Sequence, residues 1–204
     1  KCVSSANIEK DYYFSPNNYK KLNSILKYDF DNPEIYNEKN NIKEICRVIQ
    51  KSKKPIIYLG QGCKDSVLKL RSFAIANNIP VTSTIHGKGI FDDHHDLSLE
   101  WCGMHGLAAA NYALQEADCI IAIGSRFDDR TTGAIDKYAP VARKNKAIIH
   151  VNIEKSEFNK ALETDYNVHS RCNDFLDAVS NYTFNDTFNH TYHYNNITKN
   201  TRNK

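Results

Sequence analysis

The sequence contains no apolar stretch of the roughly 18 residues that a membrane-spanning helix needs. It also lacks a dominant charge: 27 basic and 24 acidic residues leave a net charge of +3. The two signs are interspersed rather than gathered into a basic stripe. These absences argue against a membrane protein and against a protein that binds nucleic acid or a membrane surface.

The six cysteines form no CxxC pair, and their spacing is not that of a metal site. Cys46 and Cys119 fall within apolar patterns, where cysteine behaves as a small hydrophobic residue. His105 has no second histidine or carboxylate at metal-ligand spacing, and the His94-His95 pair is similarly unsupported as a metal site. The sequence therefore predicts a reducing compartment, no disulfide framework and no metal site.

Polarity divides the chain into three parts. Nearly all apolar runs and glycine signals lie in residues 41–180, whereas residues 1–40 and 181–204 are rich in Asn, Lys, Tyr and Asp. This division predicts a core domain at 41–180, a polar linker at 1–40 and a polar tail or linker at 181–204. Because the chain begins at Lys1 rather than Met, we expect a fragment of a longer protein.

Strand and helix patterns alternate through the core domain. Apolar runs predict strands at 56–59, 79–84, 119–123, 147–153 and, more briefly, 166–168. Helical spacing predicts helices at 41–52, 67–76 (with Asp65 as N-cap), 107–116 and 173–180. Residues 85–106 are predicted to be a long connection. This alternation predicts an α/β fold with a parallel sheet covered on both faces, and ligands bind beyond the carboxyl ends of such strands.

Glycines follow the first predicted strand, as Gly60-Gln61-Gly62. They would let the backbone approach a phosphate beside a helix N-terminus. The third glycine of a dinucleotide fingerprint is missing, and no acid stands at the ribose position. A ligand loop and a plain strand-to-helix turn both remain open.

Polar segments follow other predicted strands. The 84–89 segment carries a hydroxyl, an imidazole, a cation and two glycines, which suit either an anionic ligand or a surface turn. Asn152 and Glu154 stand at the end of the 147–153 strand, where doubly wound folds often meet a ribose or a base.

The strongest local signal is the 124–133 segment, directly after the most apolar strand. It places two arginines and two aspartates within five residues. Arg126 or Arg130 could hold a phosphate, while Asp128 and Asp129 could orient them or accept ribose hydroxyls. An Arg–Asp network that only pins the loop is the alternative.

Taken in order, these segments resemble the central domain of the acetohydroxyacid (acetolactate) synthases, a family of thiamine-diphosphate enzymes. The resemblance covers about residues 41–176. It rests on Gly60-Gln61-Gly62, residues 82–89, residues 103–106 with Ala110-Asn111, residues 126–133 and residues 148–153. The Arg-Phe-Asp-Asp-Arg-x-Thr-Gly pattern of 126–133 is specific to this family among thiamine-diphosphate enzymes.

The resemblance implies a Rossmann-like parallel sheet of six strands that binds the ADP part of FAD. The positions that match flavin contacts in the family are Gly60, Gly62, Thr84, Ile85, Gly103, Met104, His105, Gly124, Ser125, Arg126, Asp128 and Arg130. We add Asn152 from its place at a strand end. The residues that match Met104, Asp129 and Arg130 lie near the family's substrate channel.

The resemblance also implies an activity for the parent enzyme. The family decarboxylates pyruvate on thiamine diphosphate and joins the product to a second 2-keto acid, forming 2-acetolactate in branched-chain amino-acid biosynthesis. The catalytic Glu and the ligands of Mg²⁺ and the diphosphate come from the two other domains. We therefore assign no catalytic or metal-binding residue here, and we expect the chain alone to be inactive.

Three positions depart from the family pattern. Asn152 stands where an acid is usual, Lys88 stands where an apolar residue is usual, and no Gly-Asp-Ala-like segment occurs near residues 170–172. We therefore expect FAD binding that is weaker than in the family or altered on the adenosine side.

The family also suggests partners and a compartment. We expect the other domains of the parent enzyme, a homo-oligomer and a regulatory subunit as partners, in a plastid or mitochondrion of a eukaryote or otherwise in the cytoplasm. Two alternatives stay open: a diverged nucleotide-binding module without catalysis, and the central domain of a different thiamine-diphosphate enzyme.

Overall fold

The structure of this protein, a computed structural model, describes residues 39–180 and residue 182. The predicted linker at 1–40 and the predicted tail at 181–204 therefore lie almost wholly outside the described residues. None of the described helices is long and apolar enough to cross a membrane.

The described part of the chain alternates between strands and helices, as predicted. Short 3₁₀ turns at Gln61–Ser66, Ile85–Gly87, Ile135–Lys137 and Lys155–Glu157 lie between them. In chain order the elements are α1 (Lys39–Lys51), β1 (Pro55–Leu59), α2 (Val67–Ala76), β2 (Val81–Ser83), β3 (Ser98–Trp101), α3 (Ala108–Glu116), β4 (Cys119–Ile123), α4 (Asp129–Thr132), α5 (Pro140–Lys144), β5 (Ile148–Asn152), β6 (Tyr166–His169) and α6 (Cys172–Ser180).

The six strands form one sheet in the order β3-β2-β1-β4-β5-β6. Every neighbouring pair is parallel. The prediction of a six-stranded parallel sheet is therefore confirmed. The strand order reverses direction between β1 and β4, and doubly wound sheets bind their ligands at such a switch point.

Helices cover both faces of the sheet, as predicted. On one face α1, α2 and α6 bury residues such as Ile49, Phe73 and Phe175 against the strands. On the other face α3 and α5 pack with Phe127 and Tyr138. Strands β1, β4 and β5 are buried at every position, because helices cover them on both sides. Cys46 and Cys119 are buried, as their apolar surroundings predicted.

The sequence pattern missed strand β3, which lies inside the predicted 85–106 connection. Its pairing with β2 is irregular: Val81 aligns with Ser98, but Ser83 aligns with Trp101. Glu100 has a positive φ of 59°, which accommodates the extra residue of this bulge. The bulge removes the period-two alternation by which a strand is recognised in a sequence.

Two details of the helices also differ from the prediction. Asp65 is not an N-cap, because the 3₁₀ turn Gln61–Ser66 contains it and α2 begins at Val67 after Ser66. An N-cap needs extended backbone, and a residue inside a turn does not have it. Helices α4 and α5 were not predicted, because four and five residues are too few to show helical periodicity.

Asp118 holds the connection between α1 and β1 against the start of β4. Its carboxylate accepts hydrogen bonds from the backbone N–H groups of Lys53 (2.7 Å) and Lys54 (2.8 Å) and from the Ser52 hydroxyl. These donors would otherwise lose their partners at the amino edge of the two central strands. One side chain therefore ties the helix-to-strand turn to the neighbouring strand.

We predict that Asp118→Ala lowers the free energy of unfolding by about 2 kcal/mol, because it removes charge-assisted hydrogen bonds to three donors, of which those of Ser52 and Lys54 are half-buried. Urea denaturation followed by circular dichroism would measure the loss. Asp136→Ala, at an exposed position, is the control and should change stability by less than about 0.5 kcal/mol. Equal effects of the two substitutions would contradict the role assigned to Asp118.

Candidate functional site

The carboxyl edge of the sheet brings together the segments that were predicted to bind a ligand. Gly60 and Gly62 follow β1, Thr84 and Ile85 follow β2, and the 103–105 segment follows β3. The 124–130 segment follows β4, and Asn152 ends β5. Every predicted site residue therefore lies on one edge, although the segments are far apart in the sequence.

At the switch point, Gly60, Gly62 and Gly124 form a close backbone contact, here termed the glycine junction. A Cβ atom on Gly60 would lie 2.1 Å from the Gly124 oxygen, and one on Gly62 would lie 2.8 Å from the Gly124 Cα. The Gly62 N–H donates to the Gly124 oxygen at 3.1 Å. Gly124 also has a φ of +62°, which favours glycine. The junction leaves backbone rather than side chains at the centre of the switch point.

His150 and Asn152 on β5 position the residue that follows the junction. His150 Nε2 and Asn152 Nδ2 each donate to the Ser125 oxygen, both at 2.9 Å. Asn152 Oδ1 accepts from the Glu154 N–H at 2.9 Å. Asn152 thus uses its oxygen and one N–H within the protein. His150 was not among the predicted site residues, because a histidine inside an apolar strand gives no sign of its partner.

Ser125 itself has an unused polar group. The residue is 2% exposed, and its hydroxyl has no hydrogen-bond partner in the described structure. A buried hydroxyl without a partner is costly unless a ligand or water satisfies it. Its place beside the glycine junction is consistent with a ligand at the switch point.

The 124–133 segment is pinned by Asp128 and not by its arginines. The Asp128 carboxylate accepts from the Thr131 N–H (3.1 Å) and the Thr131 hydroxyl (2.9 Å), so it caps α4. Arg126 and Arg130 are both exposed, and neither pairs with an acid among the described residues. The alternative of an Arg–Asp network is therefore wrong. Two guanidinium groups stay available at the ligand edge of the sheet.

The segment after β3 is held against α4. The Met104 N–H donates to the Arg130 oxygen at 2.8 Å. Asn111 on α3 clamps Gly103 from the other side, since it accepts from the Gly103 N–H (2.8 Å) and donates to the Gly103 oxygen (3.0 Å). Met104 is left 68% exposed. The predicted channel residues Met104, Asp129 and Arg130 are thus adjacent.

A groove of about 280 Å³, the α3–α4 groove, opens beside this contact. Its walls include Met104, Leu114, Thr132 and Tyr138. The Tyr138 hydroxyl is buried and has no partner in the described structure, and burial raises the pKa of this group. The groove therefore combines apolar side chains with polar ones, among them Asn111, Gln115 and Arg130.

The polar groups of the segment after β2 pair mostly with neighbouring residues of the protein. The Thr84 hydroxyl oxygen accepts from the Gly87 N–H at 3.1 Å, which closes the 3₁₀ turn. Lys88 Nζ lies 3.1 Å from Asp93 and 3.7 Å from Glu100, so its charge is balanced locally. Ile85 is 59% exposed. This turn therefore offers backbone and an apolar side chain to a ligand rather than a free cation.

His105, the remaining predicted contact, is exposed just beyond Met104. Within residues 39–180, no group of three or more His, Cys, Asp or Glu side chains is arranged to hold a metal ion. The edge presents backbone amides, two arginines and scattered hydroxyls, together with the His105 imidazole and the Asp129 carboxylate. This set suits a phosphate-containing ligand.

Comparison with known proteins assigns the chain to a family. Residues 42–179 match the family model described as "Thiamine pyrophosphate enzyme, central domain". The chain therefore belongs to the thiamine pyrophosphate enzymes, of which it contains the central domain.

Among curated proteins, the chain is similar to acetolactate synthases. It is 42% identical over 128 residues to the chloroplastic acetolactate synthase 2 of Nicotiana tabacum, covering 63% of this chain and 18% of that protein. It is 42% identical over 132 residues to the mitochondrial catalytic subunit of Saccharomyces cerevisiae, covering 61% of this chain and 19% of that protein. For the large subunit of Buchnera aphidicola the identity is 42% over 136 residues, with 66% and 23% covered.

The matched part thus spans about a fifth of the length of these relatives. The resemblance to the acetohydroxyacid synthases is confirmed at the level of the central domain.

We predict that Gly60→Ala lowers the free energy of unfolding by about 3 kcal/mol, because the new methyl group would overlap backbone atoms that cannot move aside. Gly89→Ala is the control: nothing lies within 4 Å of its Cβ position, but its φ is +85°. It should cost only about 1 kcal/mol of backbone strain. Urea denaturation would compare the two variants. If Gly60→Ala lost less stability than Gly89→Ala, the backbone at the glycine junction would not be closely packed.

His150 should make stability depend on pH. Burial holds the pKa of His150 below its ordinary value, so the folded protein keeps the ring neutral where the unfolded chain is already protonated. Below about pH 6.5 the unfolded state then binds more protons, and stability falls as the pH is lowered. The urea midpoint should decrease between about pH 7 and pH 5.5.

In the variant His150→Gln this decrease should be smaller, whereas His94→Gln, at an exposed position, should keep the original pH dependence. A His150→Gln variant with an unchanged pH slope would show that other groups are responsible.

Proposed function

We propose that this domain binds the ADP part of FAD within a thiamine-diphosphate-dependent acetolactate synthase. The observation that carries the proposal is the glycine junction at the switch point, flanked by the exposed guanidinium groups of Arg126 and Arg130. Bare backbone allows a diphosphate to approach closely, and arginine offers bidentate contacts to it.

The residues present fit such a ligand. The unpartnered Ser125 hydroxyl can be satisfied by a phosphate or ribose oxygen. Gly62 is exposed at the junction, and Gly103 lies against α4 beside Arg130. Exposed Ile85 and Met104 supply apolar surface on the same edge, which a flat ring system could cover. The remaining contacts proposed on the same basis are Gly60, Thr84, His105, Gly124, Asp128 and Asn152.

Asn152 has a double role in this proposal. Its oxygen and one N–H are used by Glu154 and Ser125. One N–H is left for the ligand, whereas an acid at this position could only accept hydrogen bonds. We therefore expect the adenosine side to be bound differently from a site with an acid there, and more weakly.

The parent enzyme would condense two 2-keto acids, pyruvate among them, to 2-acetolactate. Thiamine diphosphate with Mg²⁺ would supply the carbanion chemistry, and its ligands would come from other domains. In the described residues we assign no catalytic group. The chain alone should therefore be inactive, and its contribution would be to seat the flavin. A homo-oligomer and a regulatory subunit belong to the same proposal.

The α3–α4 groove and the adjacent Met104, Asp129 and Arg130 are proposed to border the substrate channel. The contact between Met104 and Arg130 supports this, because it places one side of the groove next to the proposed flavin site. The compartments named for the tobacco and yeast relatives support a plastid or a mitochondrion if the source is eukaryotic, and the cytoplasm otherwise.

Calorimetric titration of the full chain with FAD, ADP, FMN and NAD tests the ligand. We expect FAD and ADP to bind and FMN to give no signal, because FMN lacks the adenosine diphosphate. Arg126→Ala and Arg130→Ala should each weaken ADP binding by about tenfold or more, which corresponds to about 1.4 kcal/mol.

Lys144→Ala is the matched control, since this exposed cation ends α5 on the amino side of β5, away from the ligand edge. It should leave the affinity unchanged. A preference for NAD, or binding that is insensitive to both arginines, would refute the assignment.

A further inference from the structure

Two buried thiols lie against the glycine junction. Cys63 belongs to the turn Gln61–Ser66, and Cys172 is the first residue of α6. Their sulfur atoms are 3.9 Å apart, although 109 positions separate them in the chain. A disulfide requires about 2.05 Å, so a closing movement of roughly 2 Å would join the two sulfurs.

This sulfur–sulfur contact is particular to Cys63 and Cys172. The other described cysteines, Cys46, Cys102 and Cys119, are buried free thiols, and none of them has a comparable contact within the described residues. The pair also joins two elements that are far apart in sequence. An ordinary buried cysteine packs as a small hydrophobic residue and needs no second sulfur beside it.

The two thiols differ in pKa and in exposure to solvent. The Cys63 thiol hydrogen faces two acceptors, the Ile123 oxygen at 3.1 Å and the Cys172 sulfur at 3.9 Å, and the contact with Cys63 lowers the pKa of Cys172. The same contact, together with burial, raises the pKa of Cys63. Cys172 is also 7% exposed, whereas Cys63 is fully buried. Because the thiolate is the reactive form, Cys172 is the attacking group and Cys63 the resolving one.

We propose that Cys63 and Cys172 form a reversible oxidation site, at which a small hydroperoxide converts the thiol pair into a disulfide beneath the glycine junction. The pair has one feature of such sites, a second thiol in contact with the first, and Cys172 is the less buried of the two.

The chemistry balances with hydrogen peroxide as the oxidant. The Cys172 thiolate attacks one peroxide oxygen, the O–O bond breaks, and the leaving hydroxide takes up the proton that Cys172 released on ionising, which gives a sulfenic acid and water. The Cys63 sulfur then attacks the Cys172 sulfur, the S–O bond breaks, and the hydroxide takes the Cys63 proton as a second water. One peroxide is reduced, and two thiols are oxidised to one disulfide. Two external thiols, or one dithiol, reverse the reaction by exchange through a mixed disulfide and are themselves oxidised to a disulfide.

Closing this disulfide would disturb the glycine junction. The Cys172 thiol donates to the Gly62 oxygen at 3.3 Å, and the Cys63 N–H donates to the Gly60 oxygen at 3.1 Å. The Cys172 sulfur and the Cys63 backbone are therefore both tied to the 60–62 turn, which is packed against Gly124 without spare room. The oxidised form should bind ADP more weakly than the reduced form. This consequence rests on the proposed function, whereas disulfide formation does not.

The first test maps the disulfide in the full chain. After brief treatment with hydrogen peroxide, free thiols are blocked with N-ethylmaleimide, and the unreduced digest is examined by mass spectrometry. We expect a peptide that links Cys63 to Cys172, and its loss after treatment with dithiothreitol. Recovery of both cysteines as alkylated thiols, arrest of Cys172 as a sulfinic acid, or linkage to another cysteine would overturn the proposal.

Two cysteine variants test whether the disulfide depends on this pair. Cys172→Ala should leave Cys63 reduced under the same treatment. Cys46→Ala, a change at a buried cysteine away from the pair, should form the link as the unmodified chain does. The mapping on the unmodified chain needs neither variant to fold.

The second test titrates ADP into the reduced and the oxidised chain. We expect about a tenfold loss of affinity on oxidation, restored by dithiothreitol and absent in Cys172→Ala. If the link forms and the affinity is unchanged, the coupling to the junction is refuted. If the reduced chain does not bind ADP at all, the proposed function fails, while the mapped disulfide stands.

Discussion

The close packing of backbone at the glycine junction is the constraint on which the ligand edge depends. Gly60 and Gly124 meet at the ends of the two central strands with no space for a side chain between them. Strands β1 and β4 are also where the strand order reverses, so the crevice of a doubly wound sheet opens at this point. Any residue larger than glycine would close the crevice from within and push the turns apart.

Around this junction, most polar side chains hold backbone in place. Asp128 caps α4, Asn111 clamps Gly103, and His150 shares the Ser125 oxygen with Asn152. Such contacts leave little freedom to the loops on which the exposed arginines stand. The edge thus combines fixed backbone with two exposed cations, in a part of the chain that spans about a fifth of the length of the acetolactate synthases it matches.

Most strands of the sheet, and the segments that follow them, were predictable from patterns in the amino-acid sequence. Continuous apolar runs predicted β1, β4 and β5, because strands covered on both faces carry no alternation. Glycine and arginine signals at strand ends predicted candidate segments, and the structure brings these segments together on one edge of the sheet. The bulged strand β3 was missed because Glu100 interrupts its alternation, and α4 was missed because four residues show no period. Asp65 was misassigned as a cap because a preceding 3₁₀ turn leaves no signature of its own.

The sequence by itself determined the fold class and the segments that could reach a ligand, since both follow from short-range periodicity and residue type. Only the tertiary structure decided how those segments are used. In the folded chain Asp128 accepts a hydrogen bond from Thr131 instead of pairing with an arginine, and the buried Ser125 hydroxyl has no partner among the described residues. The sulfurs of Cys63 and Cys172 are in contact although 109 positions separate them in the sequence. Contacts of this kind depend on which strand ends become neighbours, and local sequence carries no record of that.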